Sequence, residues 1–299
     1  MNWDSALKLD PEILKELINR QFPALRFSHL SYLDAGWDSL VYETDTGVIF
    51  KFPKRLDDIQ SLSQESQLLQ SLQGVEAIPV PKPAYLGKSS ELFPGPFFGY
   101  PKLPGQFLSE IDALPADWLG LARQAGLFLT QLSQSNPALI LPVKDEPGVS
   151  YAQMAEFPKA LKAVRTLLPG PLAQLLKRCL DEFEIVPKPS YTPCLTHGDL
   201  SSVHILYDSA SQRFCGVIDW AGMALANPII DFVGFFAWGG EHFFEEMLPS
   251  YHGLVDEDAL PWLKQKCLVM GLFEAYHSLE TKNLKDRKNG LQALKTALS

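Results

Sequence analysis

Two short segments in the second half of the chain combine residue types that can act together in chemistry. The first is HGDLSSVHIL, residues 197–206, which carries a carboxylate and two imidazoles in a polar stretch between apolar flanks. The second is GVIDW, residues 216–220, in which an apolar run ends on another carboxylate. Phosphoryl transfer needs such groups, because one carboxylate must orient the attacking hydroxyl and accept its proton while other ligands hold Mg²⁺. A polar turn is the alternative for the first segment taken alone.

The spacing of these groups is similar to that of the protein-kinase signature, in which the base Asp precedes a metal-binding Asn by five positions. Asp199 and His204 are also five positions apart, and Asp219 lies 20 positions after Asp199. Together with ANPIIDF at 226–232, the two segments resemble the aminoglycoside phosphotransferase family, relatives of protein kinases that phosphorylate hydroxyls of small molecules. The resemblance covers nearly the whole chain and implies that Asp199 is the catalytic base and Asp219 the principal Mg²⁺ ligand.

One position departs from the commonest pattern of that family, because His204 stands where an Asn usually binds the metal. The His form is similar to variants among 2''-aminoglycoside and macrolide phosphotransferases, and a neutral imidazole can bind a divalent cation, although Mg²⁺ prefers oxygen. The resemblance gives Asp231, with His197, a supporting role: Asp231 braces the catalytic loop, since a buried carboxylate must be hydrogen-bonded. A helix N-cap after Pro228 is the alternative role for Asp231.

A lysine in the first half stands in the apolar strand VIFKF, where a charge is costly unless it is paired or directed at a ligand. This residue is Lys51, and the strand lysine of kinases holds the nucleotide phosphates and pairs with a helix glutamate. Glu65 is the only acid beyond the first turn of the helix predicted at 57–73, and it is the first residue of the family's sequence pattern E-x-x-L-L-x-x-L. We therefore expect Lys51 and Glu65 to clamp the phosphates. Lys54 is a weaker candidate for the lysine, and ordinary surface positions are the alternative.

Two loops of the first half are expected to contact the nucleotide. The hairpin loop AGWDS, residues 35–39, occupies the place of a kinase glycine-rich loop, so the Gly36 backbone and the Ser39 hydroxyl are expected to face the phosphates. It holds a single glycine, and an ordinary hairpin turn is the alternative. The segment FGYPKLPG falls where the family's lobe-connecting hinge reads the purine edge, which makes Tyr100 and Leu103 the candidates. The sequence does not decide between ATP and GTP.

The acceptor site is predicted from the acidic run EHFFEEMLPSYHGLVDED at 241–258, which contains no Lys or Arg. In the family that the chain resembles, C-terminal helices shape the acceptor pocket and their acids hold ammonium groups, which makes Glu241 and Glu245 the candidates. Trp238 is the aromatic candidate, since an aromatic pocket suits a macrolide or another bulky hydroxylated metabolite. A solvated acidic surface and a buried aromatic core are the alternatives.

The secondary-structure elements that must position these residues change along the chain from mainly strands to mainly helices. A first helix is predicted from Asp10 as N-cap and Pro11 as first helical residue. β-rich runs follow over 28–53, with a hairpin turn at Asp45-Thr46-Gly47. A further strand is predicted over 97–103. The first hundred residues therefore favour a small sheet with few helices.

Beyond about residue 116 the apolar residues recur at helical spacing, with breaks predicted at Pro158 and at 169–171. The predicted fold is α+β and protein-kinase-like, with two lobes. Residues 1–103 are expected to form an N-terminal nucleotide-binding lobe of a helix plus an antiparallel sheet. Residues 104–299 are expected to form the larger, mainly helical catalytic and substrate-binding lobe.

Composition narrows the partners of this 299-residue chain. A hydrophobic fraction of 46% and a charged fraction of 20% exclude wholesale disorder. The net charge of −9 argues against nucleic acid as a partner and favours a cationic ligand. The apolar run 214–240 is long enough for a membrane span, but Asp219 and Asp231 inside it predict a buried core segment instead. With no apolar signal region and no zinc or CxxC spacing among the four cysteines, we expect a cytoplasmic protein.

The expected function is transfer of the γ-phosphate of ATP or GTP, with Mg²⁺, to a hydroxyl of a small molecule. An aminoglycoside is the leading acceptor, which would imply antibiotic resistance; a macrolide is next, and a housekeeping hydroxyl metabolite is third. A non-catalytic nucleotide-binding module with a kinase fold is the alternative from another class, supported only by His204. A metal-dependent hydrolase built on the same acids and histidines would leave Lys51 and Glu65 without a role. The sequence does not indicate the oligomeric state.

Overall fold

The computed structural model describes residues 10–36, 38–111, 114–137, 141–144, 151–187, 190–256 and 258–299. Its first part is an antiparallel five-stranded sheet in the order β1-β2-β3-β5-β4. The strands are β1 (Leu30–Ala35), β2 (Ser39–Thr44), β3 (Val48–Pro53), β4 (Tyr85–Gly87) and β5 (Phe97–Pro101). Two helices accompany this sheet, α1 (Pro11–Gln21) and α2 (Ile59–Ser71). The first begins as predicted, because the Asp10 side chain accepts a hydrogen bond from the Glu12 amide at 2.9 Å.

Strand alternation decides which residues of β3 face which side of the sheet. Phe50 and Phe52 are fully buried in a cluster with Leu14 and Leu17 of α1. Lys51, between the two phenylalanines, therefore faces the opposite side, where α2 lies. The predicted turn between β2 and β3 is present, and Gly47 has a φ of 77° there, a left-handed conformation that glycine adopts without steric cost.

The second part of the chain is mainly helical, and its helices enclose two small sheets. One sheet has the order β6-β8-β9 and the other pairs β7 with β10. These strands are β6 (Gln106–Phe107), β7 (Cys194–Thr196), β8 (Ile205–Asp208), β9 (Arg213–Val217) and β10 (Ala224–Ala226). The helices are α3 (Trp118–Gln134), α4 (Tyr151–Val164), α5 (Gly170–Asp181), α6 (Phe232–Met247), α7 (Ala259–Thr281) and α8 (Leu284–Ala297). The predicted α+β organisation, with a sheet lobe and a helical lobe, is confirmed.

The predicted helix break at Pro158 is wrong. Pro158 lies inside α4, and its neighbours Phe157 and Ala160 are buried in a cluster shared with α7. A proline removes one backbone hydrogen bond from a helix, and burial of the flanking side chains compensates for that loss here. The break predicted at 169–171 is present, because α5 begins at Gly170.

The long apolar run 214–240 is part of the core. Trp220, Phe235 and Phe236 within it have no measurable exposure. Among the described residues, no helix is both long enough and apolar enough to cross a membrane. The sequence prediction of a buried core segment is therefore the one that the fold supports.

Helices α7 and α8 pack unusually closely, and two glycines make this possible. A Cβ atom on Gly271 would lie 2.7 Å from the carbonyl oxygen of Gly290, and one on Gly290 would lie 2.6 Å from the amide nitrogen of Ala275. Distances this short are essentially never tolerated by real side chains, so both positions require glycine. The contact brings the polar side chains of the two helices next to each other in the helical lobe.

Candidate active site

A buried ion cluster joins the sheet lobe to the helical lobe. The Lys51 Nζ atom donates to both carboxylate oxygens of Glu65 at 2.8 Å and to Asp219 Oδ1 at 3.0 Å. The side chains of Lys51 and Glu65 are 4% and 2% exposed, whereas that of Asp219 is 34% exposed. Burial alone lowers the pKa of Lys51, but the two carboxylates outweigh it and hold this pKa above its usual range. The lysine is therefore a fixed positive charge beside the one carboxylate of the cluster that a ligand can reach.

Asp219 reaches this cluster from an unusual backbone conformation. Its φ of 64° and ψ of 72° are left-handed, which few residues other than Gly, Asn and Asp adopt readily. The attraction of Lys51 lowers the pKa of Asp219 well below its usual range, so the side chain is a carboxylate at neutral pH. Glu65 also accepts a hydrogen bond from the backbone amide of Trp220 at 3.1 Å, which ties the next residue of this turn to α2.

The loop that carries Asp199 is held by hydrogen bonds to the side chain of Asp231. The two carboxylate oxygens of Asp231 accept hydrogen bonds from the amides of His197 at 2.7 Å and Gly198 at 2.9 Å. Asp231 precedes α6, but its side chain forms no capping hydrogen bond with that helix. Gly198 has a φ of 80°, and a Cβ there would lie 2.3 Å from the carbonyl oxygen of Gly222. This arrangement favours the bracing role for Asp231 over the alternative N-cap role.

His197 is a fully buried neutral imidazole that fixes the start of the loop. Its Nε2–H donates to the carbonyl oxygen of Ile218 at 3.0 Å, and its Nδ1 accepts from the amide of Asp199 at 3.3 Å. Burial, together with the nearby His204, lowers the pKa of His197 to about 3. One side chain thus connects the segment before Asp219 to the backbone of Asp199.

His204 is oriented so that one ring nitrogen faces Asp219. Its Nδ1–H donates to the carbonyl oxygen of Asp199 at 2.7 Å, and its Nε2 lies 3.7 Å from Asp219 Oδ2. Within the described part of the chain, no group of three or more His, Cys, Asp or Glu side chains is placed to hold a metal ion. A site with one carboxylate and one imidazole fits Mg²⁺ bound mainly through water and substrate phosphates. His204 and Asp219 are thus the residues that can hold such an ion.

A cavity of about 370 Å³ lies between the two lobes at this cluster. The sequence candidates Gly36, Ser39, Lys51, Tyr100, Leu103, His204 and Asp219 all line it. A Cβ on Gly36 would lie 4.0 Å from Asp219 Oδ2, so the hairpin loop closes over the acidic end of the cavity. Trp37 of that loop lies outside the described residues. Lys54 does not line this cavity, and its Nζ lies 3.4 Å from the Gly36 carbonyl oxygen, so of these two candidates Lys51 is the one that lines the cavity.

A second cavity of about 540 Å³ lies on the other side of the loop 197–204, which carries Asp199 and is called the catalytic loop below after its predicted role. His204 and Val203 line both cavities, and Asp199 lines the second, with a side chain that is 65% exposed. The opposite wall comes from α7 and α8, which contribute Lys266, Met270, Phe273, Glu274, Asp286 and Asn289. The Asp199 carboxylate is therefore accessible to a molecule in the second cavity and adjacent to the first.

Glu274 is a polar residue of this wall that the sequence reasoning missed. Its Oε1 accepts from Asn289 Nδ2 at 2.6 Å, and Asn289 Oδ1 accepts from the Ser202 hydroxyl at 2.7 Å. The chain of hydrogen bonds links α7, α8 and the catalytic loop. Burial raises the pKa of Glu274 to about 7, although the Asn289 hydrogen bond opposes this. A signal was present in the sequence, since Glu274 is a lone acid within the apolar run 267–276.

The three predicted acceptor residues lie away from this cavity. Trp238 is 9% exposed and packs against Phe214 and Phe243, so it belongs to the core. Glu241 forms an ion pair with Lys264 at 2.6 Å, and Glu245 lies 3.6 Å from the His242 ring. None of the three lines either cavity. Glu257 of that run lies outside the described residues.

The sequence profile of a family described as the phosphotransferase enzyme family matches residues 29–263. A structure described as the GDP and kanamycin complex of APH(2")-IIia is 25% identical, covers 95% of this chain and 97% of its own, and has a TM-score of 0.65. The GDP complex of wild-type aminoglycoside 2'-phosphotransferase-IIIa is also 25% identical, with coverages of 97% and 99% and a TM-score of 0.66. No curated protein sequence matches the chain.

A more distant likeness concerns the fold alone. The apoenzyme of macrolide 2'-phosphotransferase MphH from Brachybacterium faecium is 21% identical, covers 95% of this chain and 97% of its own, and has a TM-score of 0.59. Together the solved structures confirm the kinase-like two-lobe fold that the sequence predicted. They share this fold over nearly the entire described chain.

Proposed function

Because the chain belongs to the phosphotransferase enzyme family, we propose that it transfers the γ-phosphate of ATP or GTP to a hydroxyl group of a small molecule. The observation that carries the proposal is the position of the catalytic loop between two cavities. Asp199 opens to one cavity, and the Lys51–Asp219 pair lines the other. We place the nucleotide in the first, 370 Å³ cavity and the acceptor in the second. GDP bound in the structures of two relatives supports a nucleotide co-substrate.

In the proposed reaction the acceptor hydroxyl oxygen forms a bond to the γ-phosphorus, and the bond from that phosphorus to the β,γ-bridging oxygen breaks. The proton of the hydroxyl passes to the Asp199 carboxylate and later to water, and the nucleoside diphosphate leaves with the bridging oxygen. The exposed Asp199 side chain and its neighbour His204, which borders both cavities, support this assignment. Proton acceptance by a positioned carboxylate contributes roughly 10²–10⁴ in rate.

The remaining site residues would hold charge in place for this reaction. Lys51, fixed by Glu65, would donate to nucleotide phosphate oxygens, while Gly36 and Ser39 would cover them. Asp219 and His204 would hold Mg²⁺, which when bound neutralises the charge that develops on the phosphate oxygens. His197 and Asp231 would act as positioning residues, since they bind the backbone of the loop rather than the cavity.

We further propose that Tyr100 and Leu103 contact the base, and that the nucleotide-binding lobe comprises residues 1–103. The support is that both side chains line the nucleotide cavity where β5 ends. The chain turns next at Gly105, whose φ is 100°. A reaction that consumes ATP or GTP also favours a cytoplasmic location, where these nucleotides are available.

For the acceptor we propose a cationic polyol of the aminoglycoside class, and hence a role in antibiotic resistance. Two acids, Glu274 and Asp286, share the acceptor cavity with Asp199, and kanamycin is bound in one relative's structure. Glu274 and Asp286 replace Glu241 and Glu245 as the candidates for holding ammonium groups. A macrolide is the second candidate, favoured by the apolar side chains of Met270 and Phe273 on the same wall.

The test is nucleotide consumption by the purified chain with Mg²⁺, using ATP and GTP separately. The acceptor panel contains aminoglycosides, macrolides and simple hydroxylated metabolites. We expect turnover stimulated by one acceptor class, and a loss of roughly 10²–10⁴ in turnover for Asp199→Asn with nucleotide affinity retained. Turnover that Asp199→Asn leaves unchanged would refute the assignment of the base. Nucleotide binding without turnover on any acceptor, together with full cellular activity of Asp199→Asn, would support the non-catalytic module instead.

A further inference from the structure

The first turn of α8 stands between the two cavities. Lys285 lines the nucleotide cavity, whereas the next residue, Asp286, and Asn289 one turn later line the acceptor cavity. The turn is held by Asn283, whose side-chain oxygen accepts from the amides of Lys285 at 3.0 Å and Asp286 at 3.3 Å. A helix of the catalytic lobe thus contributes neighbouring side chains to both cavities.

The lysines that line the nucleotide cavity differ in how their charge is used. Lys51 is held by Glu65 and Asp219, and Lys102 donates to both carboxylate oxygens of Glu43 at 2.9 Å. Lys285 forms no ion pair with any described residue, and its Nζ lies 3.9 Å from the centroid of the Phe107 ring. A cation–π contact of an exposed lysine is weak, so this ammonium can move to a stronger anionic partner.

The acidic residues of the cavity do not prevent Lys285 from binding an anion. Asp34, Glu110 and Asp219 line the same cavity, and together they offset the three lysines in formal charge. A nucleoside triphosphate adds several negative charges, which require cations beyond the paired lysines. Lys51 and Lys102 can bind a phosphate only if they give up a contact with a carboxylate. Among the lysines that line this cavity, Lys285 can bind a phosphate without breaking an ion pair.

We propose that Lys285 binds a phosphate oxygen of the nucleotide, and that this contact further stabilises the first turn of α8 beside the acceptor cavity. The inference rests on the proposed function, since it needs a nucleotide in the cavity. Its consequence is coupling: a bound nucleotide adds a contact to the helix that carries Asp286 and Asn289, so this part of the acceptor wall is more stable when the phosphate donor is present. By linkage, the acceptor then tightens nucleotide binding by the same factor.

The first test is calorimetric titration of ATP, GTP and the two nucleosides into wild type, Lys285→Met, Lys285→Arg and Lys295→Met, all with Mg²⁺. Methionine keeps the aliphatic stem over Phe107 but removes the charge. Lys295 is an exposed lysine of the same helix that lines neither cavity, which makes it the matched control.

We expect Lys285→Met to weaken ATP or GTP roughly fivefold to tenfold, as the loss of one exposed charge-assisted hydrogen bond would do. Nucleoside affinity should stay unchanged, Lys285→Arg should restore most of the loss, and Lys295→Met should bind as wild type. Equal affinity of Lys285→Met and wild type for the triphosphates would overturn the inference alone. An equal loss for nucleosides would overturn the phosphate contact. Absence of nucleotide binding by wild type would overturn the proposed function as well.

The second test follows amide hydrogen exchange over residues 284–290 with and without ATP or GTP. We expect the nucleotide to slow exchange there in wild type and Lys295→Met but not in Lys285→Met, at nucleotide concentrations that saturate each protein. Equal slowing in Lys285→Met would show that the nucleotide orders α8 without this lysine, and would overturn the coupling.

Discussion

The substitution Lys51→Met removes the ammonium of the buried ion cluster and keeps the length of the side chain. It leaves Glu65, whose side chain is 2% exposed, as a buried carboxylate without its cation. Asp219 also loses Lys51, but its side chain is 34% exposed, so water can stabilise its charge. The cost of the substitution should therefore come mainly from Glu65.

Removing one partner of a buried ion pair destabilises a protein by about 3–5 kcal/mol, because the remaining charge is desolvated and unpaired. For a chain of 299 residues that loss corresponds to a fall in Tm of roughly 5–8 °C. The double variant Lys51→Met/Glu65→Gln removes both charges, and the amide oxygen can still accept from the Trp220 amide. We expect its stability to return to within about 1 kcal/mol of wild type. Nucleotide binding should be lost in both variants, since both lack the ammonium.

The assay is denaturant and thermal unfolding of wild type, the single and the double variant at pH 5 and pH 8. Burial raises the pKa of Glu65, and this effect is unopposed once Lys51 is gone. The folded single variant then binds the Glu65 proton more tightly than the unfolded chain, so its deficit relative to the double variant should shrink at pH 5. A single variant as stable as wild type, or a double variant no more stable than the single, would refute the reasoning from a buried charge.

Three further substitutions test other parts of the site. Burial raises the pKa of Glu274 from 4.5 to about 7, so ionisation of this side chain costs the folded state stability as the pH rises through that range. Between pH 5 and pH 8, urea unfolding should show wild type losing about 2 kcal/mol of stability relative to Glu274→Gln. A gain in stability of wild type relative to Glu274→Gln over the same range would contradict this. Asp231→Ala leaves the amides of His197 and Gly198 without their acceptor and should destabilise the chain by roughly 2–5 kcal/mol, measured by denaturant unfolding, with Asp231→Asn intermediate. Gly198→Ala should lower stability by more than about 1 kcal/mol, because the positive φ and the nearby carbonyl exclude a Cβ. Gly170→Ala, whose Cβ would meet nothing within 4 Å, is the steric control, and thermal unfolding should show no comparable loss for it.

The parts of the site that follow local regularities could be anticipated from the sequence. Strand alternation predicts that Lys51 points away from Phe50 and Phe52, and helical spacing places Glu65 on the face of α2 that meets it. The structure brings these two side chains within 2.8 Å of each other. The short spacing from Asp199 to His204 likewise confines both residues to one loop, whatever surrounds it.

The acceptor wall could not be anticipated in the same way, because it depends on contacts between distant segments. The run 241–258 contains no Lys or Arg, yet Lys264 of the next helix pairs with Glu241. Glu274 reaches the catalytic loop only because α7 and α8 pack closely at their glycines, which a pattern within one helix does not show. Sequence periodicity describes the face of each helix, whereas the identity of its neighbour is a property of the whole fold.

The left-handed backbone of Asp219 has an evolutionary consequence. Asn and Gly adopt this conformation at least as easily as Asp, so either residue can replace it without backbone strain. Lys51 would keep Glu65 as its partner, and the core around Trp220 would be unchanged. Under the role proposed for Asp219, a single substitution would therefore abolish activity and leave the fold intact, at the cost of the Lys51–Asp219 ion pair.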